Sequence, residues 1–194
     1  GPYRLRNDMR FKRLCSCGSV AAECSIWGEY LEWLRLNDDL SMDQKVLRLL
    51  DSDSRSGGDF LYVDSYQDDL SMLRLPVDLF DLRVIHLVRD IRSWLPRRVR
   101  SARSEGKHFS SFRNAFRWFY VNQKFSNVFR QSGVPVLRVG YEELALRPEF
   151  TLRLICQWLD LDYAQQMLSP GLYSKSHILL GNRVRQQGDR NQQI

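Results

Sequence analysis

Arginine and aspartate end a run of apolar residues at positions 84–90, where the sequence reads Val-Ile-His-Leu-Val-Arg-Asp. An apolar, β-branched run of this length is typical of a strand that is covered on both faces in a parallel sheet. In open α/β sheets, ligands bind beyond the carboxyl ends of such strands. Arg89 stands at that position, and a guanidinium can hold a phosphate through two parallel hydrogen bonds. The segment therefore predicts an anion site.

The same segment also has a purely structural interpretation. Asp90 is a suitable N-cap for the helix that follows, and the arginines of 92–103 would then form a solvated helix face. The residues alone leave both interpretations open. His86 lies inside the strand and faces away from Arg89 by the alternation of side chains, so we interpret it as a core histidine.

Strand and helix patterns alternate along the chain. Strands are predicted at 60–63, 83–88 and 134–139, and helices at 24–36, from Ser41 to about Leu50, near 69–80, between Asp90 and Gly106, at 109–131 and at 148–159. This alternation implies βαβ units, and hence an α/β fold with a three-layer parallel sheet and helices on both faces. The phenylalanines at 112, 116, 119, 125 and 129 are predicted to form one core stripe of the 109–131 helix.

Composition limits the class of protein. The chain has 194 residues, 43% of them hydrophobic, and a formal net charge of +6 from 29 Lys and Arg against 23 Asp and Glu. A chain of this length and hydrophobic content can form one hydrophobic core. No apolar stretch approaches the roughly 20 residues of a membrane span. We expect a soluble, cytoplasmic protein with a single domain over 3–194, in which 181–194 form a flexible tail. Gly1-Pro2 fits a scar left by an expression tag.

Five motifs in sequence order resemble those of bacterial-type sulfotransferases that use 3′-phosphoadenosine 5′-phosphosulfate (PAPS). They are Cys15-Ser-Cys17-Gly18 followed by Cys24 and Trp27, Asp64-Ser-Tyr-Gln67, Ile85–Arg92, Gly140–Leu144 with Pro148, and Ser176-His177 with Gly181-Asn182 and Arg183. The likeness runs from about residue 14 to 185 and implies a P-loop-like sulfotransferase architecture. The motifs at 64, 89 and 141 each follow a predicted strand, so they would share one edge of the sheet.

The resemblance assigns the cofactor-binding residues. It implies that Arg89 holds the 3′-phosphate of PAPS and of its product 3′,5′-bisphosphoadenosine (PAP), and that Tyr141 lies near the adenine. Arg97 stands where the family usually places a serine on the same phosphate. Arg183 and Arg185 would close over the phosphate from the tail.

The general base has two candidates. Asp64 stands where a carboxylate could take the proton of an acceptor hydroxyl, although it could equally cap the next helix. His177 is the second candidate. Gln67 stands where the family often has a lysine, so this chain lacks the cation that the lysine would place near the sulfuryl group.

Two features depart from the family pattern or lie outside it. No segment fits the family's loop Gly-x-x-Arg-Ser-Gly-Thr-Thr for the 5′-phosphosulfate, so we expect an incomplete fold whose loop lies upstream of residue 1, or else a relative that has lost the loop. Cys15, Cys17 and Cys24 could bind zinc, but no histidine lies nearby in the sequence and structural sites need four ligands. We therefore predict no metal, and interpret these cysteines as packing or a disulfide.

The expected function is transfer of a sulfuryl group from PAPS to a hydroxyl or amine of a small-molecule or carbohydrate acceptor. A non-catalytic relative that binds a polyanion, either nucleic acid or a sulfated glycan, through the basic edge is the alternative. The arginines cluster at one strand end instead of along a stripe with stacking aromatics, so we do not expect nucleic acid. A nucleotide kinase-like enzyme is a third possibility, which magnesium dependence would reveal.

Overall fold

The computed structural model describes residues 9–54, 63, 70, 73, 81–169, 177 and 179. The chain divides into two compact units: unit 1 comprises Gly1–Pro76 with Pro170–Gln193, and unit 2 comprises Val77–Ser169. The single domain over 3–194 stays a prediction. Among the described helices, none combines the length and apolar character of a membrane span.

The described part of unit 1 contains α1 (Met9–Lys12), α2 (Gly28–Leu36) and α3 (Met42–Ser54). A short 3₁₀ helix at Ala21–Glu23 precedes α2. The predicted capping box opens α3, because the Ser41 N–H donates to Gln44 Oε1 at 3.1 Å and the Gln44 N–H donates to Ser41 Oγ at 3.3 Å. The core of this unit is built from α2 and α3 side chains, namely Tyr30, Leu31, Leu34, Val46 and Leu49.

Unit 2 has alternating strands and helices. The elements are β1 (Val84–Val88), α4 (Ile91–Ser104), α5 (Ser111–Ser132), β2 (Val136–Gly140), α6 (Tyr141–Leu146) and α7 (Pro148–Leu159), followed by a 3₁₀ helix at Gln165–Leu168. The two strands pair in parallel, with Val84 opposite Val136 and Val88 opposite Gly140. The predicted α/β class is confirmed in this unit, whereas the strand predicted at 60–63 and the helix near 69–80 lie outside the described residues, apart from residues 63, 70 and 73.

The phenylalanines of α5 form two stripes, so the prediction of one core stripe is wrong. Phe125 and Phe129 pack against His86, with ring centroids 6.2 and 5.2 Å apart. Phe112, Phe116 and Phe119 are 86%, 62% and 59% exposed. Because each residue advances about 100° around a helix, the centres of the two groups lie about 120° apart. One group covers the strand, and the other faces away from it.

The two faces of strand β1 differ in burial. His86 is 9% exposed beneath the α5 rings, which confirms its interpretation as a core histidine. Ile85 and Leu87 point to the opposite face by alternation and are 39% and 47% exposed.

The burial of His86 predicts a pH-dependent stability. Burial lowers the pKa of His86 below its ordinary value of 6.5, and the positive charge of Arg138, opposite it in the strand register, lowers it further. The unfolded chain therefore binds this proton more readily than the folded chain does. The free energy of unfolding should fall as the pH falls below about 6.5, until the folded-state pKa is reached.

Urea denaturation between pH 7.5 and 5.5 measures this effect. The variant His86→Leu should lose part of the pH dependence, whereas His108→Leu, at an exposed position, should keep it. The same slope in all three proteins would show that His86 is not the group responsible.

Arg83 joins the beginning of β1 to the end of α7. Its Nη2 lies 2.7 Å from Asp81 Oδ2 and 2.8 Å from Asp160 Oδ2, and its Nη1 donates to the Trp158 carbonyl at 2.5 Å. Asp160 ends α7 with a left-handed backbone, at φ 57°. The ion pairs of Arg83, which we call the Arg83 clamp, thus connect the beginning of β1 to the end of α7.

Candidate functional site

Arg89 and Tyr141 lie at the same edge of the sheet. β1 and β2 are parallel with Val88 opposite Gly140, and each of the two site residues directly follows its strand. The predicted shared edge is thus present for these two motifs. Asp64, whose motif was predicted to join them, lies outside the described residues, as do Arg183 and Arg185.

Contacts with Ser93, Tyr141 and Trp118 hold Arg89 in place. Its Nε donates to Ser93 Oγ at 3.1 Å, and its guanidinium lies 4.8 Å from the centroid of the Tyr141 ring. Its carbonyl oxygen accepts from Trp118 Nε1 at 3.1 Å. Its two terminal nitrogens donate to none of the described residues, and 26% of the side chain is exposed. The arginine is therefore held through Nε, and among the described residues its two terminal nitrogens have no hydrogen-bond partner.

Glu142 connects the two strand ends, and the sequence analysis did not identify it. Its carboxylate accepts hydrogen bonds from the Asp90 N–H at 3.0 Å and from Ser93 Oγ, and lies 3.9 Å from Arg89 Nε. The hydrogen bond from Ser93, with that from the Asp90 N–H, lowers the pKa of Glu142 below its usual range. In the sequence, the only signal for the role of Glu142 was that it is an acidic residue next to Tyr141, at the predicted edge of the sheet.

Asp90 caps α4, as the structural interpretation predicted. Its Oδ1 accepts from the Arg92 N–H at 2.7 Å, and its Oδ2 pairs with Arg92 Nη2 at 2.6 Å. The hydrogen bonds from Arg92 lower the pKa of the Asp90 carboxyl. Because this carboxylate already occupies the N-terminus of α4, an anion at this edge would be bound by guanidinium groups.

Helix α4 supplies further positive charge. It carries arginines and no acidic residue, with Arg92, Arg97, Arg98, Arg100 and Arg103 along its length. Arg97 is exposed and stands four residues after Ser93, so it lies one turn further along the face that contacts Arg89. The role of Arg97 beside Arg89 stays a prediction.

His177 lies among the cysteines of unit 1. Its Nδ1 is 3.0 Å from Cys24 Sγ, and its carbonyl oxygen accepts from Trp27 Nε1 at 2.7 Å. The sulfurs of Cys15 and Cys17 lie 3.6 and 3.9 Å from that of Cys24. The sequence analysis looked for a histidine near the cysteines in the sequence, and the fold supplies one from residue 177.

The cysteines near His177 are free thiols, as is Cys156, so the disulfide interpretation is wrong for the structure. Burial raises the pKa of the Cys15 thiol, while a hydrogen bond from the Ser19 backbone lowers the pKa of Cys17 to about 6. Cys15 and Cys24 are 4% and 2% exposed. Two buried thiols, one exposed thiol and an imidazole therefore converge at one point.

Comparison with known proteins gave a family match within unit 2. Residues 79–165 match the family model of the Sulfotransferase family. Neither the curated proteins nor the solved structures that were compared gave a match. The match includes Arg89, Arg97 and Tyr141, and it supports a sulfotransferase domain of the α/β class in this part of the chain. The recognition of a sulfotransferase domain, made from the motifs, is confirmed.

Proposed function

We propose that this protein transfers a sulfuryl group from PAPS to a hydroxyl or amine acceptor, a small molecule or a carbohydrate. In this proposal Arg89 binds the 3′-phosphate of the donor. The observation that carries the proposal is that the two terminal nitrogens of Arg89 have no partner among the described residues. Arg89 lies at the carboxyl edge of the sheet, within the segment that matches the Sulfotransferase family. A guanidinium held in this way can bind a phosphate bidentately with little loss of side-chain freedom.

The surroundings of Arg89 favour a nucleotide over a simple anion. Tyr141 is 39% exposed and lies directly beneath the guanidinium. The adenine and the 3′-phosphate are attached to one ribose, so their binding residues have to be neighbours. We assign Tyr141 to the adenine and Arg97 to the same phosphate as Arg89. Arg183 and Arg185 are proposed to close over that phosphate.

The proposed chemistry is an in-line displacement at sulfur. The acceptor oxygen or nitrogen forms a bond to sulfur, the bond from sulfur to the bridging oxygen of the 5′-phosphate breaks, and PAP leaves. Asp64 is proposed to take the acceptor proton as general base. As in phosphoryl transfer, positioning and charge stabilisation supply most of the rate, which is the role of the arginines.

Titration calorimetry with PAP tests this proposal on the full chain. We expect a one-to-one complex that forms without magnesium and whose affinity changes little with salt, because few phosphate contacts are made. A polyanion-binding protein would instead lose affinity steeply, with a slope of about −0.9 in log K against log salt per neutralised phosphate of duplex DNA. Release of PAP from PAPS in the presence of hydroxyl and amine acceptors then tests transfer itself. A folded protein that binds heparin or DNA but not PAP would contradict the proposal.

A further inference from the structure

We propose that Cys15, Cys17, Cys24 and His177 form a structural zinc site in unit 1. Each residue offers one ligand atom, and the four atoms lie within 4.8 Å of one another. Three thiolates and one imidazole are a ligand set that zinc commonly takes in structural sites. The site uses the Cys-x-Cys-Gly motif, which the proposed sulfuryl transfer does not explain, and it replaces the prediction of no metal.

The distances from Cys24 Sγ to the other two sulfurs fit tetrahedral coordination. With Zn–S bonds of about 2.3 Å and a Zn–N bond of about 2.0 Å, ligand sulfurs are about 3.8 Å apart, and sulfur and nitrogen about 3.5 Å apart. The sulfur of Cys24 lies 3.6 Å from that of Cys15 and 3.9 Å from that of Cys17. The separation of 3.0 Å between Cys24 Sγ and His177 Nδ1 is that of a thiol–imidazole hydrogen bond, and zinc would widen it by about half an ångström.

The backbone holds two of the thiols on one turn. The Gly18 N–H donates to the Cys15 carbonyl at 2.9 Å, and the Cys15 N–H donates to the Ser19 carbonyl at 2.9 Å. Gly18 has a φ of 96°, which lets the chain reverse directly after Cys17. These bonds form independently of the thiols, so the positions of Cys15 and Cys17 do not depend on sulfur contacts alone.

Separate contacts position the other two ligands. Cys24 ends the 3₁₀ helix, and its carbonyl accepts from the Gly28 N–H at 2.7 Å at the start of α2. Trp27, from the same segment, donates through Nε1 to the His177 carbonyl at 2.7 Å. This hydrogen bond fixes the backbone of residue 177 beside the segment that carries Cys24.

The choice of zinc follows from the ligand types and their number. Soft thiolates select zinc, copper(I) or iron–sulfur clusters, and four protein ligands without an open position are typical of structural zinc. Binding would release the thiol protons to solvent, leaving three thiolates around one Zn²⁺. Cys17 is exposed and gives the ion access, while Cys15 and Cys24 are buried.

The proposal gives His177 a structural role and removes it as a candidate base. An imidazole that binds a metal through Nδ1 carries its proton on Nε2, so it has no free nitrogen to accept another. The metal would join residue 177 to a turn more than 150 residues earlier, since Cys24 and His177 are 153 positions apart. Its binding free energy would therefore stabilise unit 1.

The test measures metal content and metal affinity of the full chain. Wild-type protein purified with zinc and then desalted should hold one zinc per chain by mass spectrometry of the elements. Cobalt(II) in place of zinc should give the intense visible bands of tetrahedral coordination and a near-ultraviolet thiolate-to-metal band. The variant Cys17→Ser should lose more affinity than the 10- to 100-fold that the loss of an outer partner costs.

Matched variants separate loss of the site from loss of the fold. Cys17 is exposed, so serine there should leave the far-ultraviolet circular dichroism unchanged. Cys156→Ser removes a buried cysteine of unit 2 and should keep the full zinc content. Folded wild-type protein without zinc, or wild-type affinity in folded Cys17→Ser and His177→Ala, would overturn the proposal. PAP binding tests the sulfotransferase proposal separately, because its assigned residues in unit 2 do not include these four.

Discussion

Arg89→Ala should weaken the binding of PAP by about 10- to 150-fold. A hydrogen bond to a charged group contributes about 1.5–3 kcal/mol, and about 1.4 kcal/mol corresponds to a tenfold change in affinity. The terminal nitrogens of Arg89 are the donors proposed for the 3′-phosphate, and alanine removes both. Titration calorimetry on the folded variant measures the loss. Arg89→Lys should recover only part of it, because an ammonium cannot reproduce the bidentate geometry.

Arg130→Ala is the matched control for this substitution. Arg130 is an exposed arginine in the last turn of α5, close to the amino end of β2, and so at the opposite edge of the sheet from Arg89. Both variants lower the net charge by one, and only Arg89→Ala should change PAP affinity strongly. Equal, small effects would mean that general positive charge attracts the nucleotide. Wild-type affinity in Arg89→Ala would remove the assigned phosphate contact.

Leu31→Ala should lower the free energy of unfolding of unit 1 by about 2–5 kcal/mol, the range measured for buried leucines. Leu31 has no exposed surface and lies in the centre of α2 among Tyr30 and Leu34. Alanine there removes apolar contacts and leaves a cavity that the neighbouring helix α3 can fill only in part. Urea denaturation combined with hydrogen exchange of the α2 amides measures the effect in the unit concerned.

Leu36→Ala makes the same chemical change in the same helix at a position that is 78% exposed. Because alanine is also the best helix former, this control should change the stability by less than about 0.5 kcal/mol. A similar loss in both variants would indicate that α2 contributes through its helix propensity and not through its packed face.

Local signals predicted the helix ends well. The predicted helix at 148–159 coincides with α7, because proline at the first helical position fixes where it begins. The box of Ser41 and Gln44 likewise marked the start of α3, and Gly133, with φ 70°, marked the end of α5. Each of these signals acts within one turn of the chain, so the sequence contains all that is needed to interpret it.

The angular positions of the α5 phenylalanines were also present in the sequence. A spacing of three or four keeps Phe112, Phe116 and Phe119 together, but the step of six to Phe125 rotates the next group away. The error lay in treating the five rings as one repeat. Which of the two stripes would be covered could not be predicted, because that depends on where β1 lies.

Contacts between residues that are far apart in the sequence could not be predicted at either site. Glu142 contacts the Asp90 N–H across 52 positions, and His177 reaches Cys24 across 153. Neither pair has a spacing rule, because the separation is set by the fold and not by a turn of helix or strand. The residue types in the motifs predicted an anion site, while the partners that position Arg89 required coordinates.

The Arg83 clamp has a consequence for how unit 2 is inserted in the chain. Unit 1 comes from segments on both sides of unit 2, so the polypeptide leaves unit 1 at Pro76 and resumes it at Pro170. Arg83 and Asp160, near the two junctions, are 2.8 Å apart. Segments whose two ends lie close together tolerate circular permutation and insertion into another chain. Since Arg83 and Asp160 flank β1 and α7, we expect the segment between them to tolerate a circular permutation that joins its ends.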